Sequence, residues 1–200
     1  GGDDPYSASK GAAEIAISAY LRTFFQQIND VKIGIGRAGN VIGGGDWAVD
    51  RIIPDLVNAY STNQLPTLRY PDAIRPWQHV LDPLSGYLQL VNALLEGIDV
   101  PAMNFGPNGT NLSVGEVVSI FSDNSPLAPK VVFEDTGVQI PLEAETLYLD
   151  PGFSKKLLNW IPQWSQEEAV ISTARWWDNI LNNDMTAREA SLLDIQELLL

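Results

Sequence analysis

Asp4 and Pro5 fix the start of the chain's first helix, and with it the placement of two reactive side chains. An Asp side chain caps a helix by accepting from a free backbone N–H. Proline suits the first helical position because it has no N–H to leave unsatisfied. Tyr6 and Lys10 then stand four residues apart, so both emerge on one face of the opening turns. An ammonium held beside a phenol favours the phenolate, and the positive end of the helix dipole acts in the same sense. That suits a tyrosine to general acid–base work. Taken alone, a Tyr and a Lys at this spacing occur on many helices, so the flanking residues decide.

Residues 5–27 are expected to be helical. Ala13, Ile17, Tyr20, Leu21 and Phe24 form one apolar stripe, and Ala12, Ile15, Ala16 and Ala19 widen it, which predicts burial on two sides. A short β run, Val31 to Arg37, follows with apolar residues at 31, 33 and 35. It ends in Ala38-Gly39-Asn40-Val41-Ile42-Gly43-Gly44-Gly45-Asp46-Trp47. Ligands of open α/β sheets bind at the carboxyl ends of strands, where this loop lies. The loop carries neither the Gly-Lys-Ser/Thr of a Walker loop nor a dinucleotide fingerprint, and on glycine content alone it is a turn-rich connection.

Helices are expected over 50–61 and 83–96, and strands at 67–69, 103–106 and 131–134, with loops at 123–130 and 135–145. Arg75 precedes Pro76, which favours extended backbone and projects the guanidinium to one side. A guanidinium's planar fork suits phosphate, although a solvated surface arginine is an equal reading of this residue alone. His79 reads as a packing or hydrogen-bonding residue. Ser113 and Glu116 have the spacing of a capping box. A strand at 147–150, a short helix, Pro162 and a long helix over 165–183 come next, with Trp176, Trp177 and Ile180 as core. Residues 186–199 form a last acidic amphipathic helix without a functional reading.

A net charge of −13 argues against nucleic acid and anionic membrane as partners. No apolar stretch has membrane-spanning length. With no cysteine and one histidine the sequence offers no thiolate or histidine zinc site, and it fits a reducing, cytoplasmic setting. Gly1 opens directly on the Tyr6–Lys10 motif without an initiator Met, which reads as a piece of a longer protein.

Tyr-x-x-x-Lys on an Ala-rich helix, followed by a β run and a glycine-rich loop with Asn, resembles the second half of an extended short-chain dehydrogenase/reductase. The resemblance runs from Pro5 to about Ile180. It implies an α/β fold, the C-terminal part of a Rossmann-like doubly wound sheet plus a small mixed α/β substrate-binding domain. Residues 1–65 would be the second half of the NAD-binding domain, with a substrate loop at 38–51. Residues 66–185 would be mainly the substrate domain with interleaved sheet segments, and 186–200 a C-terminal helix. NAD is the implied cofactor, Tyr6 the acid/base, and Lys10 the residue that tunes it and holds the nicotinamide ribose. Asn40, Arg51, Arg75 and Asn104 would anchor the diphosphate of a nucleotide sugar.

Pro76 departs from the family's usual Asp after the arginine. With the runs Gly39 to Asp55 and Ile74 to Tyr87, it is similar to the subgroup that acts on CDP-glucose. That subgroup oxidises C4, eliminates water across C5–C6 and returns the hydride to C6. The family's glycine fingerprint and elimination acids lie upstream of the matched region. The alternatives are another nucleotide-sugar epimerase or reductase, or a non-catalytic binding or dimerisation fragment. A homo-oligomer through the 5–27 helix is also implied.

Overall fold

The computed structural model describes residues 4–25, 28, 31–62, 64, 67, 68, 70–125, 132, 133, 145–182 and 185–199. Helix α1 spans Pro5–Tyr20 and runs into a π-helical turn, Leu21–Phe25. Asp4 caps it as the sequence predicts, accepting from the Ser7 backbone N–H at 2.9 Å. The expected end at 26–27 lies outside the described residues. No residue of α1 is buried, which corrects the expected two-sided burial. Ile15, Tyr20 and Phe24 are exposed. Tyr20 instead turns towards Phe24 and Phe25, at 5.4 and 6.2 Å between ring centroids.

Strands β1 (Gly36–Ala38) and β2 (Asn40–Ile42) are followed by α2 (Ile52–Ser61) and β3 (Thr67–Leu68). Then come β4 (Ile74–Arg75), β5 (Trp77–His79), α3 (Leu81–Leu95) and β6 (Met103–Phe105). β7 (Leu112–Ser113), α4 (Val114–Asn124) and β8 (Val132–Phe133) precede α5 (Gly152–Leu158), α6 (Gln166–Asn182) and α7 (Ala187–Leu198). The pairs β1–β6, β2–β5 and β3–β8 are parallel, and β4–β7 is antiparallel.

The β run lies further along than expected. Pairing begins at Gly36 and passes from β6 to β5 across Gly39. Apolar alternation points to 31–35, but glycines let neighbours come close enough to pair. A Cβ on Gly36 would sit 2.7 Å from the Tyr87 ring, and one on Gly39 would sit 2.5 Å from the Pro76 carbonyl oxygen. The strand expected at 147–150 is reduced to a bridge between Ile74 and Thr146. Leu147 still donates to the Ile74 carbonyl at 3.1 Å, but no ladder follows. Arg69, Val131, Glu134 and most of the expected loops at 123–130 and 135–145 lie outside the described residues.

One apolar core joins α2, α4 and α6 to β2 and β5, with Ile53, Leu56, Val117, Phe121, Trp176 and Trp177 buried in it. A second, around Met103, Phe105 and Trp160, seats α3 on β6. Ser113 and Glu116 form the expected capping box at the start of α4. Among the described residues no helix is long and apolar enough to cross a membrane.

Candidate active site

The opening of α1 places Tyr6 and Lys10 on its solvent face. Tyr6 is 70% exposed, and the Lys10 ammonium stands 5.5 Å from its ring centroid, within cation–π reach. α1 is tied to the strands by charge. Arg37 on β1 donates from Nε and Nη2 to the two Glu14 carboxylate oxygens at 2.6 and 2.5 Å. That pairing holds the Glu14 carboxyl below its ordinary range and the Arg37 guanidinium above its own.

Arg37 also donates from Nη1 to Asn104 Oδ1 at 3.3 Å, across the register that sets the two residues opposite each other. Asn104 in turn donates from Nδ2 to the Asp150 carbonyl at 3.1 Å. The structure thus links the helix of Tyr6 and Lys10 to one expected substrate residue through two side chains, Glu14 and Arg37.

The other three lie on other elements. Asn40 begins β2 just past the change of partner, its backbone N–H donating to the Pro76 carbonyl at 2.9 Å. Arg51 stands just before the start of α2 without a side-chain cap, exposed and 3.6 Å from Asp46. Arg75 is extended before its proline, but it is buried rather than solvated. Its Nη1 donates to the Ile74 and Glu145 carbonyls at 2.9 and 3.3 Å.

Three buried polar residues around these strands were not singled out by sequence reasoning. Gln166 Oε1 accepts from the Trp77 and Leu112 backbone N–H groups at 3.2 and 3.1 Å, and its Nε2 donates to the Thr110 carbonyl at 3.0 Å. Asp82, at the start of α3, accepts from the Gln163 N–H at 2.6 Å, and burial pushes its carboxyl up to about 6. Gln78 donates to the Phe105 carbonyl at 2.9 Å, bracing β5 against β6. A lone polar residue among Val80, Leu81, Pro83 and Leu84 was the signal available for Asp82, whereas Gln78 and Gln166 have polar neighbours and offered none. His79 is buried at 4.6 Å from the Trp164 ring, in keeping with the packing role expected of it.

Gly34, Gly36 and Gly39 have the spacing of a dinucleotide fingerprint. That motif needs a strand followed at once by a helix. Here the glycines lie in the strand segment, against Leu90, Tyr87 and Pro76, and β2 follows.

The model of the NAD dependent epimerase/dehydratase family matches residues 3–106. The chain belongs to that family. It is 40% identical over 187 residues to CDP-glucose 4,6-dehydratase of Salmonella typhimurium, covering 88% of this chain and 50% of that protein. Among solved structures, dTDP-glucose 4,6-dehydratase from Bacillus anthracis in complex with NAD matches with a TM-score of 0.69 at 20% identity, over 92% of this chain and 54% of that one. UDP-glucuronic acid 4-epimerase from Bacillus cereus, in complex with UDP-glucuronic acid and NAD, matches with a TM-score of 0.73 at 17% identity, over 88% and 53%. The chain spans about half the length of the curated relatives it matches. The α/β fold expected from the sequence, with its Rossmann-like parallel strands, is the fold these family members share.

Proposed function

We propose that the chain supplies the acid–base and substrate-holding part of a CDP-glucose 4,6-dehydratase. The observation that carries this is the 40% identity to the Salmonella typhimurium enzyme across 187 residues, beside a family match over 3–106 that includes every expected site residue. Tyr6 takes the proton of the sugar's C4 hydroxyl, and Lys10 assists it while holding the nicotinamide ribose. A bound NAD, held at its nicotinamide ribose by Lys10, would supply hydride acceptance at C4 and hydride return at C6.

The residues fit one end of that cofactor. A phenol and an ammonium stand side by side on an open helix face, which suits a ribose and a sugar hydroxyl. The Gly34–Gly39 run does not make a pyrophosphate site, so that end of the dinucleotide is held by other residues. Asn40, Arg51, Arg75 and Asn104 hold the diphosphate, against an overall charge of −13 that disfavours any anion. In this reading residues 1–65 belong with the NAD-binding domain and most of 66–185 with the substrate domain.

The test is incubation of the enzyme, completed with its nucleotide-binding half, with CDP-glucose and separately with dTDP-glucose and UDP-glucose. Loss of one water from CDP-glucose, seen by mass spectrometry, is the expected result. Interconversion of sugar epimers without loss of water would assign an epimerase instead.

A further inference from the structure

Helix α7 takes no part in the site above, yet its inward side chains reach the strand end that feeds the loop to Arg51. A capping box of Thr186 and Glu189 fixes where α7 starts. Its Ser191 hydroxyl accepts from the Trp176 Nε1–H at 3.1 Å. Trp176 lies against the loop so closely that a Cβ on Gly44 would fall 1.8 Å from the indole Cδ2. Ring orientation and loop path are therefore set together.

A second route leaves from Asp194, which is buried. Its Oδ2 stands 3.6 Å from His79 Nε2, while its Oδ1 accepts from the Ser172 hydroxyl at 3.1 Å and lies 3.7 Å from Arg175. Arg175 is shared with Glu197 of α7. His79 sits opposite Ile42 in the β2–β5 register, and the next N–H, of Val80, donates to the Ile42 carbonyl at 2.8 Å. Both routes end on residues 42–44. The far side of the loop rests on the same helix α6, where Trp47, though 61% exposed, meets Trp177 edge-on at 4.7 Å.

We infer that α7 is a buttress for the substrate loop: Ser191, through Trp176, and Asp194, through His79, position residues 42–51 so that Arg51 can meet a nucleotide-sugar diphosphate. Both are positioning residues, and the inference rests on the role given to Arg51 above. A helix that merely covers core would stabilise the whole domain evenly. A buttress stabilises one loop.

Hydrogen–deuterium exchange on the full chain separates the two. Ser191→Ala removes the acceptor of the Trp176 indole N–H, and Asp194→Asn removes the charge that faces His79 and Arg175, neither changing backbone or volume much. In each variant the amides of residues 40–48 should exchange roughly five- to tenfold faster, the size of one lost hydrogen bond or charged contact in a local opening. Those of α4 should keep their rates. Ser191→Thr, which keeps the hydroxyl, should restore slow exchange. Unchanged rates at 40–48, or an equal rise throughout α4, overturn the buttress. A parallel titration with CDP-glucose in the completed enzyme should show its Kd rising by a similar factor in the two variants. A wild-type enzyme that fails to bind CDP-glucose overturns the substrate reading alone, since the exchange pattern does not depend on ligand.

Discussion

Arg37 grips Glu14 with two parallel N–H···O bonds, at 2.6 and 2.5 Å, and so joins the helix of Tyr6 and Lys10 to the strand beside Asn104. Both side chains are partly exposed, which limits the pair to about 0.5–1 kcal/mol of stability. Its larger effect is on where α1 sits, because no residue of that helix is buried. Arg37→Met should therefore lower the melting temperature little and speed amide exchange along α1. The Glu14 carboxyl is held down, so its share of the stability is present above the ordinary value of 4.5 and is lost as pH falls through the depressed one. A double-mutant cycle with Glu14→Gln that gives no coupling would mark the contact as incidental.

Asp82 works in the opposite sense. Its carboxyl titrates at about 6 in the fold against 3.8 ordinarily, because burial penalises the charge more than the Gln163 N–H relieves it. Between these values the folded state binds more protons than the unfolded one, so this group's contribution falls as pH rises through the window. It then stays as a fixed penalty on the order of 3 kcal/mol at neutral pH. Asp82→Asn keeps an acceptor for Gln163 and removes the titration. The variant should gain on wild type as pH climbs from 4 to 7, in urea melts at each pH. A stability difference that stays flat over that range rules the account out.

Gln166 is a single side chain bonded to three backbone groups on two separate segments, 77 and 110–112. Its oxygen serves Trp77 and Leu112, and its nitrogen serves Thr110. Gln166→Leu fills the same space but strands two N–H groups and a carbonyl, each costing about 1–3 kcal/mol if buried. Loss of about 2–4 kcal/mol in chemical denaturation is expected, since water can reach part of the site. A loss under 0.5 kcal/mol would mean that the neighbouring backbone repairs itself.

How much of this was legible in the sequence depends on whether the signal was local. Asp4-Pro5 and Ser113 with Glu116 announce helix starts because a cap involves residues three apart, and both are where they were expected. Apolar spacing found the long helix of Trp176 and Trp177 for a similar reason. The β run was displaced because its true extent depends on Tyr87 and Pro76 closing on Gly36 and Gly39 from distant parts of the chain. Burial of α1 was mispredicted because periodicity reports a face that can be covered, not what covers it. Gln166 and Asp82 escaped notice since their partners lie more than fifty residues away.

Arg75 is expected to serve both fold and ligand. Arg75→Ala removes the donor to the Ile74 and Glu145 carbonyls, and it should also weaken CDP-glucose binding by about 2–4 kcal/mol as a desolvated diphosphate loses a charge-assisted partner. Arg75→Lys should recover part of each, because an ammonium lacks the fork. Calorimetric titration in the completed enzyme measures the binding term, and melting measures the other. Equal affinities for wild type and Arg75→Ala, with stability lowered, would leave the arginine as a backbone brace alone.

Tyr6 offers the decisive chemical test, because its exposure makes a structural role easy to exclude. At 70% exposed it contributes little packing, so Tyr6→Phe should leave the melting temperature and cofactor affinity near wild type. If the phenol is the base, the change removes the one atom that takes the C4 hydroxyl proton and keeps the ring on which the Lys10 ammonium rests. C4 oxidation in the completed enzyme should then slow by roughly 10²–10⁴-fold, the usual size of a general-base contribution. Lys10→Met should act differently. It leaves the phenol in place but removes the ammonium expected to hold the ribose, so cofactor binding weakens along with the rate. Single-turnover appearance of reduced-nicotinamide absorbance follows the oxidation directly, ahead of water loss and product release. A wild-type rate in Tyr6→Phe would remove the tyrosine from the chemistry, and the acid–base assignment with it.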